Sequence, residues 1–310
     1  MIKLLRHALE QGSVKHYSPS EFFWRILRFL LWWILTSYDE WLLSRVRSPY
    51  VVQKTIGGLI CLDTEDRGIA ADLYTNRMRE PFIYSVFKEI INPGDIVIDI
   101  GANIGYYAML EARKVGEQGI VYAIEPVIHN YNLLKQSKEL NGYDNIKLYR
   151  AAIGNINGTA CMKTGIRPNH CHIARQGNEK VNICTLDEFA KNIRPDIVRM
   201  DVEGYCHEIL QGAQRTFSHR LKLIIELHCE ALHNAGKLVA TVNLLRAYGF
   251  RVIYAAVEPY AACIRHGFKV ASFLSARVAA CFGPHEITLD DILRDDKWHK
   301  IGAVELLLIK

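Results

Sequence analysis

The chain has no C-x-x-C pair among its eight cysteines, which leaves zinc ribbons and dithiol redox centres without a framework. The nearest metal-like grouping is His170-Cys171-His172, in a Gly-, Pro- and Asn-containing stretch that reads as a loop. Adjacent side chains point apart, so zinc is not expected there. Nor is there an apolar run of the ~20 residues that a membrane-crossing helix requires. The stretch from Phe29 to Leu35 falls far short, and Arg25 and Arg28 precede it. No dense basic block exists: 38 Lys and Arg are interleaved with 33 acids for a net charge of +5, so nucleic acid is not an expected partner. No stretch shows the charged start, apolar middle and small-residue cleavage site of a secretory signal, and reduced thiols in the cytoplasm are the expectation. Internal repeats and low-complexity tracts are absent too, which excludes a solenoid.

What is present is a chain of 310 residues, half of them hydrophobic, long enough for one large domain with an appendage. Its most informative segment is Ile96 to Tyr107, Ile-Val-Ile-Asp-Ile-Gly-Ala-Asn-Ile-Gly-Tyr-Tyr. A continuous apolar strand running into a glycine turn lets the backbone approach a nucleotide-like cofactor as the next helix begins. The pattern Gly101-x-x-x-Gly105 lacks the third glycine of the dinucleotide fingerprint, which argues against NAD. A helix length later the strand Gly119 to Ile124 ends at Glu125-Pro126, where a doubly wound sheet sets a carboxylate against ribose hydroxyls. With both features at this spacing the chain resembles the class I S-adenosylmethionine (SAM) methyltransferases. There the first strand and turn hold the methionine end, and the acid after the second strand holds the ribose.

Residues 1–48 differ in texture, with Phe22, Phe23, Trp24, Phe29, Trp32 and Trp33 crowded beside Arg25 and Arg28. They read as an amphipathic helical extension. Residues 20–35 suit either a helix lying at the inner membrane face or one that packs on the core or on a partner chain. The main domain, 49–310, starts with a hairpin-like stretch over Val51–Lys54 and Gly57–Leu62, followed by a helix over Pro81 to Ile91 with Glu80 just ahead of it. Beyond the first two core strands come a helix over Ile128 to Leu140 and a strand over Asn145 to Arg150. Next are a short helix from Leu186, strand Asp196 to Asp201, helix Glu208 to Phe217 and strand Leu221 to His228. A helix over Lys237 to Tyr248, strand Phe250 to Ala256 and a last strand Ala303 to Ile309 complete the series. The alternation predicts a Rossmann-like α/β fold: one seven-stranded, mostly parallel sheet with helices on both faces and an antiparallel last strand.

Ligands of such sheets bind outside the carboxyl ends of the strands, which brings Asp99 to Gly105, Glu125, Asp201 to Gly204 and Glu226 to His228 onto one rim. The series Asp99-Ile-Gly-Ala-Asn-Ile-Gly-Tyr-Tyr, Glu125-Pro126, Thr185-Leu-Asp-Glu-Phe189, Arg199-Met-Asp-Val-Glu-Gly-Tyr205 and Leu210-Gln-Gly-Ala213 resembles the FkbM family of methyltransferases over roughly Glu80 to Val257. Arg199 and Met200 depart from the family box, which often has Lys there, and Cys206 stands where it often has an acid. The resemblance implies methyl transfer from SAM to a hydroxyl of a sugar or other small-molecule or glycan acceptor. The cofactor residues are then Glu80, Asp99, Gly101, Ala102, Asn103, Gly105, Tyr106, Glu125, Pro126 and Ala152, within a cofactor half over about 80–160. The segments 161–180 and 258–300 fall to the acceptor side.

A hydroxyl is a poor nucleophile near neutral pH and calls for a general base or for a divalent cation that acidifies it. Asp201, Glu203 and His228 are the candidate catalytic residues, and Asp201 with Glu226 the candidate ligands of a Mg²⁺ ion. Two other readings stand beside this one: an NAD-type oxidoreductase with a variant glycine turn, and a noncatalytic membrane- or complex-associated protein that keeps the fold. Self-association into a homo-oligomer is a further partner class.

Overall fold

The computed structural model describes residues 37–66, 68–163, 172–174, 177, 179–257, 288–294 and 303–310. The aromatic segment over residues 20–35, His170, Cys171 and residues 258–287 lie outside them. Among the described residues no helix is long and apolar enough to cross a membrane.

Chain order after a helical stretch over 37–44 is β1 (Tyr50–Lys54), β2 (Leu59–Asp63), α1 (Ile69–Asn76), α2 (Pro81–Ile90), β3 (Ile96–Ile100), α3 (Tyr106–Val115), β4 (Ile120–Ile124), α4 (Ile128–Asn141) and β5 (Ile146–Tyr149). It continues with β6 (Ala152–Gly154), β7 (Gly158–Lys163), β8 (His172–Ala174), β9 (Glu179–Thr185), α5 (Leu186–Phe189), β10 (Ile197–Met200), α6 (Cys206–Gln211) and β11 (Lys222–Leu227). The rest is α7 (Cys229–Asn234), α8 (Leu238–Ala247), β12 (Arg251–Val257), α9 (Leu289–Arg294) and β13 (Val304–Ile309).

The main sheet has the order β12-β13-β11-β10-β3-β4-β5, and β13 alone among its seven strands runs antiparallel to its neighbours. This is the expected architecture, and its cause is visible in the burial. Apart from the paired Asp99 and Arg199, the central strands β3 and β10 are short runs of Ile, Val and Met buried on both faces, which suits parallel pairing. Alternate residues feed two cores. Ile98, Ile100, Val198 and Met200 pack with α5 to α8, while Val97 and Ile197 pack with α2, α3 and the β1–β2 hairpin. Strand order reverses between β3 and β10, so the switch point lies at their carboxyl ends.

Three features differ from the sequence expectation. The region after β5 is not a plain loop: β6 to β9 form a second, four-stranded sheet of order β6-β9-β7-β8, packed over Val127, Ala152, Met162, Val181 and Ile183. His172 accordingly starts a strand instead of lying in a loop. The helix expected over Glu208 to Phe217 runs from Cys206 and stops at Gln211, capped by Gly212, where a Cβ would sit 2.3 Å from the Gly154 carbonyl oxygen, and the chain resumes as a 3₁₀ turn at Thr216–Ser218. Helices α1, α7 and α9 are not evident in the sequence; at eight, six and six residues they are too short to show a period.

Candidate active site

The turn after β3 is built by close approach of main chains. Gly101, at φ +84°, would bring a Cβ within 1.9 Å of the Asp201 carbonyl oxygen, so the residue is glycine because the end of β10 presses against it. The Gly101 and Ala102 N–H groups both donate to the Ile124 carbonyl at 3.0 Å, and Asn103 takes a left-handed φ of +50°. Glu125 closes the arrangement: its carboxylate accepts from the Asn103 N–H and from the Val127 N–H, each at 2.9 Å. Burial raises the Glu125 carboxyl to about 7, although the hydrogen bonds from Val127, Asn103 and Asn130 pull it down.

Asp99 is placed differently from the expectation. Its carboxylate is fully buried and bonded to Arg199 Nη1 at 3.1 Å, and Asp99 does not line the cleft. The two residues are register partners on adjacent parallel strands, so their side chains leave the same face of the sheet. Arg199 Nη2 reaches Asp201 Oδ2 at 3.1 Å, and its guanidinium lies 4.0 Å from the Tyr107 ring centroid. Arg199 is itself buried; desolvation works against its charge, and Asp99 and Asp201 more than restore it. Gly105 also stays out of the cleft, serving as the left-handed N-cap of α3 against Leu134.

Three of the expected rim residues do meet. Asp201, Glu203 and His228 offer ligand atoms all within 4.8 Å of one another, from the turn after β10 and the end of β11. Glu203 sits at φ +50° and is followed by Gly204 at φ +88°. His228 Nδ1 lies 3.7 Å from Glu203 Oε2, and its Nε2 lies 3.8 Å from Glu226 Oε2. Burial opposes the Asp201 anion, but hydrogen bonding from His228, the Arg199 charge and a hydrogen bond from Glu226 outweigh it and hold this carboxyl below the usual range. Glu226 goes the other way: burial and the neighbouring Asp201 charge push it well up. Asp201 is thus the anion and Glu226 the neutral donor of the pair. Glu226, expected to share an ion with Asp201, is not part of the three-residue grouping with metal-like spacing.

One cleft of about 620 Å³ joins these parts. Gly101, Ala102, Asn103, Glu125, Pro126 and Ala152 line it beside Asp201, Glu203, Glu226 and His228. Glu80, Tyr106 and Tyr107 line it as well, together with Arg79, to which no feature of the sequence points. The residues present fit a nucleoside with a cationic tail. Carboxyls of Glu80, Glu125 and Asp201 share the wall with the small side chains of Ala151 and Ala152. Asn130 Oδ1, buried in the same wall, has no hydrogen-bond partner among the described residues.

Residues 99–252, about half of the chain, match the family model of the methyltransferase FkbM domain. The chain belongs to the FkbM methyltransferase family. Within curated proteins it is similar to the hexuronic acid methyltransferase AglP of Haloferax volcanii, with 24% identity over 153 residues, 48% of this chain and 62% of the relative. An uncharacterized protein of Methanocaldococcus jannaschii is 30% identical over 76 residues, 24% of this chain and 28% of that one. The FkbM chain thus spans less than two thirds of either relative's length. Among solved structures, a SAM-dependent methyltransferase from Aquifex aeolicus aligns with TM-score 0.39 at 13% identity, covering 73% of this chain and 87% of its own.

Proposed function

We propose that this FkbM-family chain transfers the methyl group of SAM to a hydroxyl of a sugar or other small-molecule or glycan acceptor. The observation that carries the reading is the meeting of the glycine turn and Glu125 with Asp201, Glu203 and His228 in one cleft. The hexuronic acid methyltransferase among its relatives supports a sugar acceptor. Glu125 would take the ribose hydroxyls, the Gly101–Asn103 turn the methionine end, and Pro126, Ala151 and Ala152 the adenine side. When bound, SAM supplies a methyl group on a cationic sulfur, open to in-line attack.

The chain's own residues handle the proton. His228 accepts it from the acceptor hydroxyl, and Asp201, locked as an anion by Arg199, stabilises the imidazolium that forms. Glu203, with 43% of its side chain exposed, gives the proton a route to water. A second reading has observational support: the spacing of Asp201, Glu203 and His228 suits a divalent cation that acidifies the hydroxyl directly.

Calorimetric titration with SAM and S-adenosylhomocysteine tests the proposal. Binding is expected in the wild type and in Asp201→Ala and to be lost in Glu125→Ala. Transfer to a panel of sugar acceptors is expected to fall at least about 100-fold in Asp201→Ala and His228→Ala. Abolition of transfer by EDTA would assign the acidifying role to a cation, and unchanged transfer would leave it with His228. A folded wild type that binds neither ligand would overturn the methyltransferase reading.

A further inference from the structure

We infer that the outer end of the cleft, framed by the turn after β10 and by α7, is the acceptor's subsite, and that Glu230 tunes it to a polyhydroxylated ligand without a carboxylate: a neutral or amino-bearing sugar in preference to a sugar acid. The inference rests on the methyl-transfer reading above and names the charge class of its acceptor.

Four observations carry it. First, the acceptor oxygen must reach His228, so the rest of the acceptor lies along the wall around that residue. Glu230, Ala231 and Asn234 line the cleft there from α7, with Glu230 and Asn234 one helical turn apart on a shared face. Ala102, Glu125 and Ala152 on the cofactor side are buried, whereas Glu203, Ala231 and Asn234 are exposed, which makes this the outer end. Second, α7 is fixed against the turn that carries Asp201 and Glu203. A Cβ on Gly204 would lie 3.3 Å from the Ala231 Cβ and 3.8 Å from the His228 Cβ, while Cys229 and Leu232 anchor the helix from behind in the core. Third, this end is acidic. Arg199 offsets Asp201, Glu226 is the neutral member of its pair, and Glu203 and Glu230 add two further carboxyl groups. The Arg79 guanidinium in the same wall lies 3.3 Å from Glu80. An ammonium or a hydroxyl fits such a wall, and a carboxylate meets like charge. Fourth, the half-buried Tyr205 packs with Met162 and Ile173 of the small sheet, and all three line the cleft. They offer apolar surface to the C–H face of a ring, and the Asn234 amide can donate to or accept from its hydroxyls. An acid in the first turn of α7 also suits the helix dipole, but that role is blind to the ligand.

The test compares three methyl pyranosides of one ring shape on protein loaded with S-adenosylhomocysteine: the glucosaminide with an ammonium, the uncharged glucoside, and the glucuronide with a carboxylate. Titration followed by saturation-transfer NMR is expected to show the glucosaminide bound at least as tightly as the glucoside, and the glucuronide about tenfold more weakly. Glu230→Gln should narrow the gap between glucoside and glucuronide to about threefold or less, and Glu230→Lys should close or invert it. Asn234→Ala should weaken all three alike, because an amide does not read their charge. Calorimetry of S-adenosylhomocysteine, expected to change less than about twofold in each variant, certifies the fold. The subsite would be overturned, with the methyltransferase reading left standing, by a wild type that binds the glucuronide as tightly as the glucoside or by a gap unchanged in both Glu230 variants. Binding of none of the three by protein that holds S-adenosylhomocysteine would overturn it equally. A folded wild type that does not bind S-adenosylhomocysteine would remove both.

Discussion

Glu125 shows how one buried side chain ties structure to ligand. Both of its oxygens already accept a backbone N–H, yet burial still raises its carboxyl from the ordinary 4.5 to about 7. Below pH 7 the free protein therefore carries this group mainly protonated. Ribose hydroxyls donate best to the anion, so ligand binding should release the proton. Affinity for S-adenosylhomocysteine is expected to rise with pH by up to about tenfold per unit until about pH 7 and to flatten above it. Glu125→Gln should bind more weakly at pH 8 and lose the slope. Calorimetry at several pH values, in buffers of different ionisation enthalpy, reads the proton count directly. A wild-type affinity that is flat between pH 5.5 and 7.5 would refute the assignment.

The elements that were legible in the sequence are those with a single physical signature. Strands β3, β4, β10, β11 and β13 are apolar runs bounded by turn residues, and each formed where the pattern placed it. The small sheet was not seen because β7 is mixed, with Gly158 and Thr159 exposed and Met162 buried. The alternation of Val181 and Ile183, both buried in β9, was the available signal. The rim residues Asp201, Glu203, Glu226 and His228 were legible from the rule for strand ends. Asp99 and Arg199 were not, because nothing in a strand such as Ile197-Val-Arg-Met200 tells which acid its cation will seek. Gly101 was legible as a special residue for a partly different reason: what comes close to it is the Asp201 main chain. Gly101→Ala combines a positive φ with a backbone clash, and a loss of at least about 2 kcal/mol is expected in urea denaturation. Gly105→Ala meets the movable end of Leu134 at 2.5 Å and should lose less. Equal losses would show that the positive φ alone sets the penalty.

At the scale of the whole molecule, charges are enclosed between the two central strands and α3. Asp99, Arg199 and Glu111 are all buried in the sheet face that otherwise packs Val97, Ala108 and Ile197. Arg199 is bonded to two carboxylates, and removing it would strand both. Glu111 is the opposite case. Neither of its oxygens has a hydrogen-bond partner among the described residues, and burial together with the nearby Asp99 pushes its carboxyl well above the ordinary range. Burial thus disfavours its anion and leaves the carboxyl unsatisfied among the described residues, and such a group opposes folding by about 1–3 kcal/mol. Arg199→Met is expected to destabilise by about 3–5 kcal/mol, because it leaves uncompensated buried acids. Glu111→Leu, of similar volume, is expected to stabilise by about 1 kcal/mol. Urea unfolding at pH 7 measures both. If Glu111→Leu were as damaging as Arg199→Met, Glu111 would have to be an active member of the ion network, and the chain of contacts from Arg199 to Asp201 would extend back through α3.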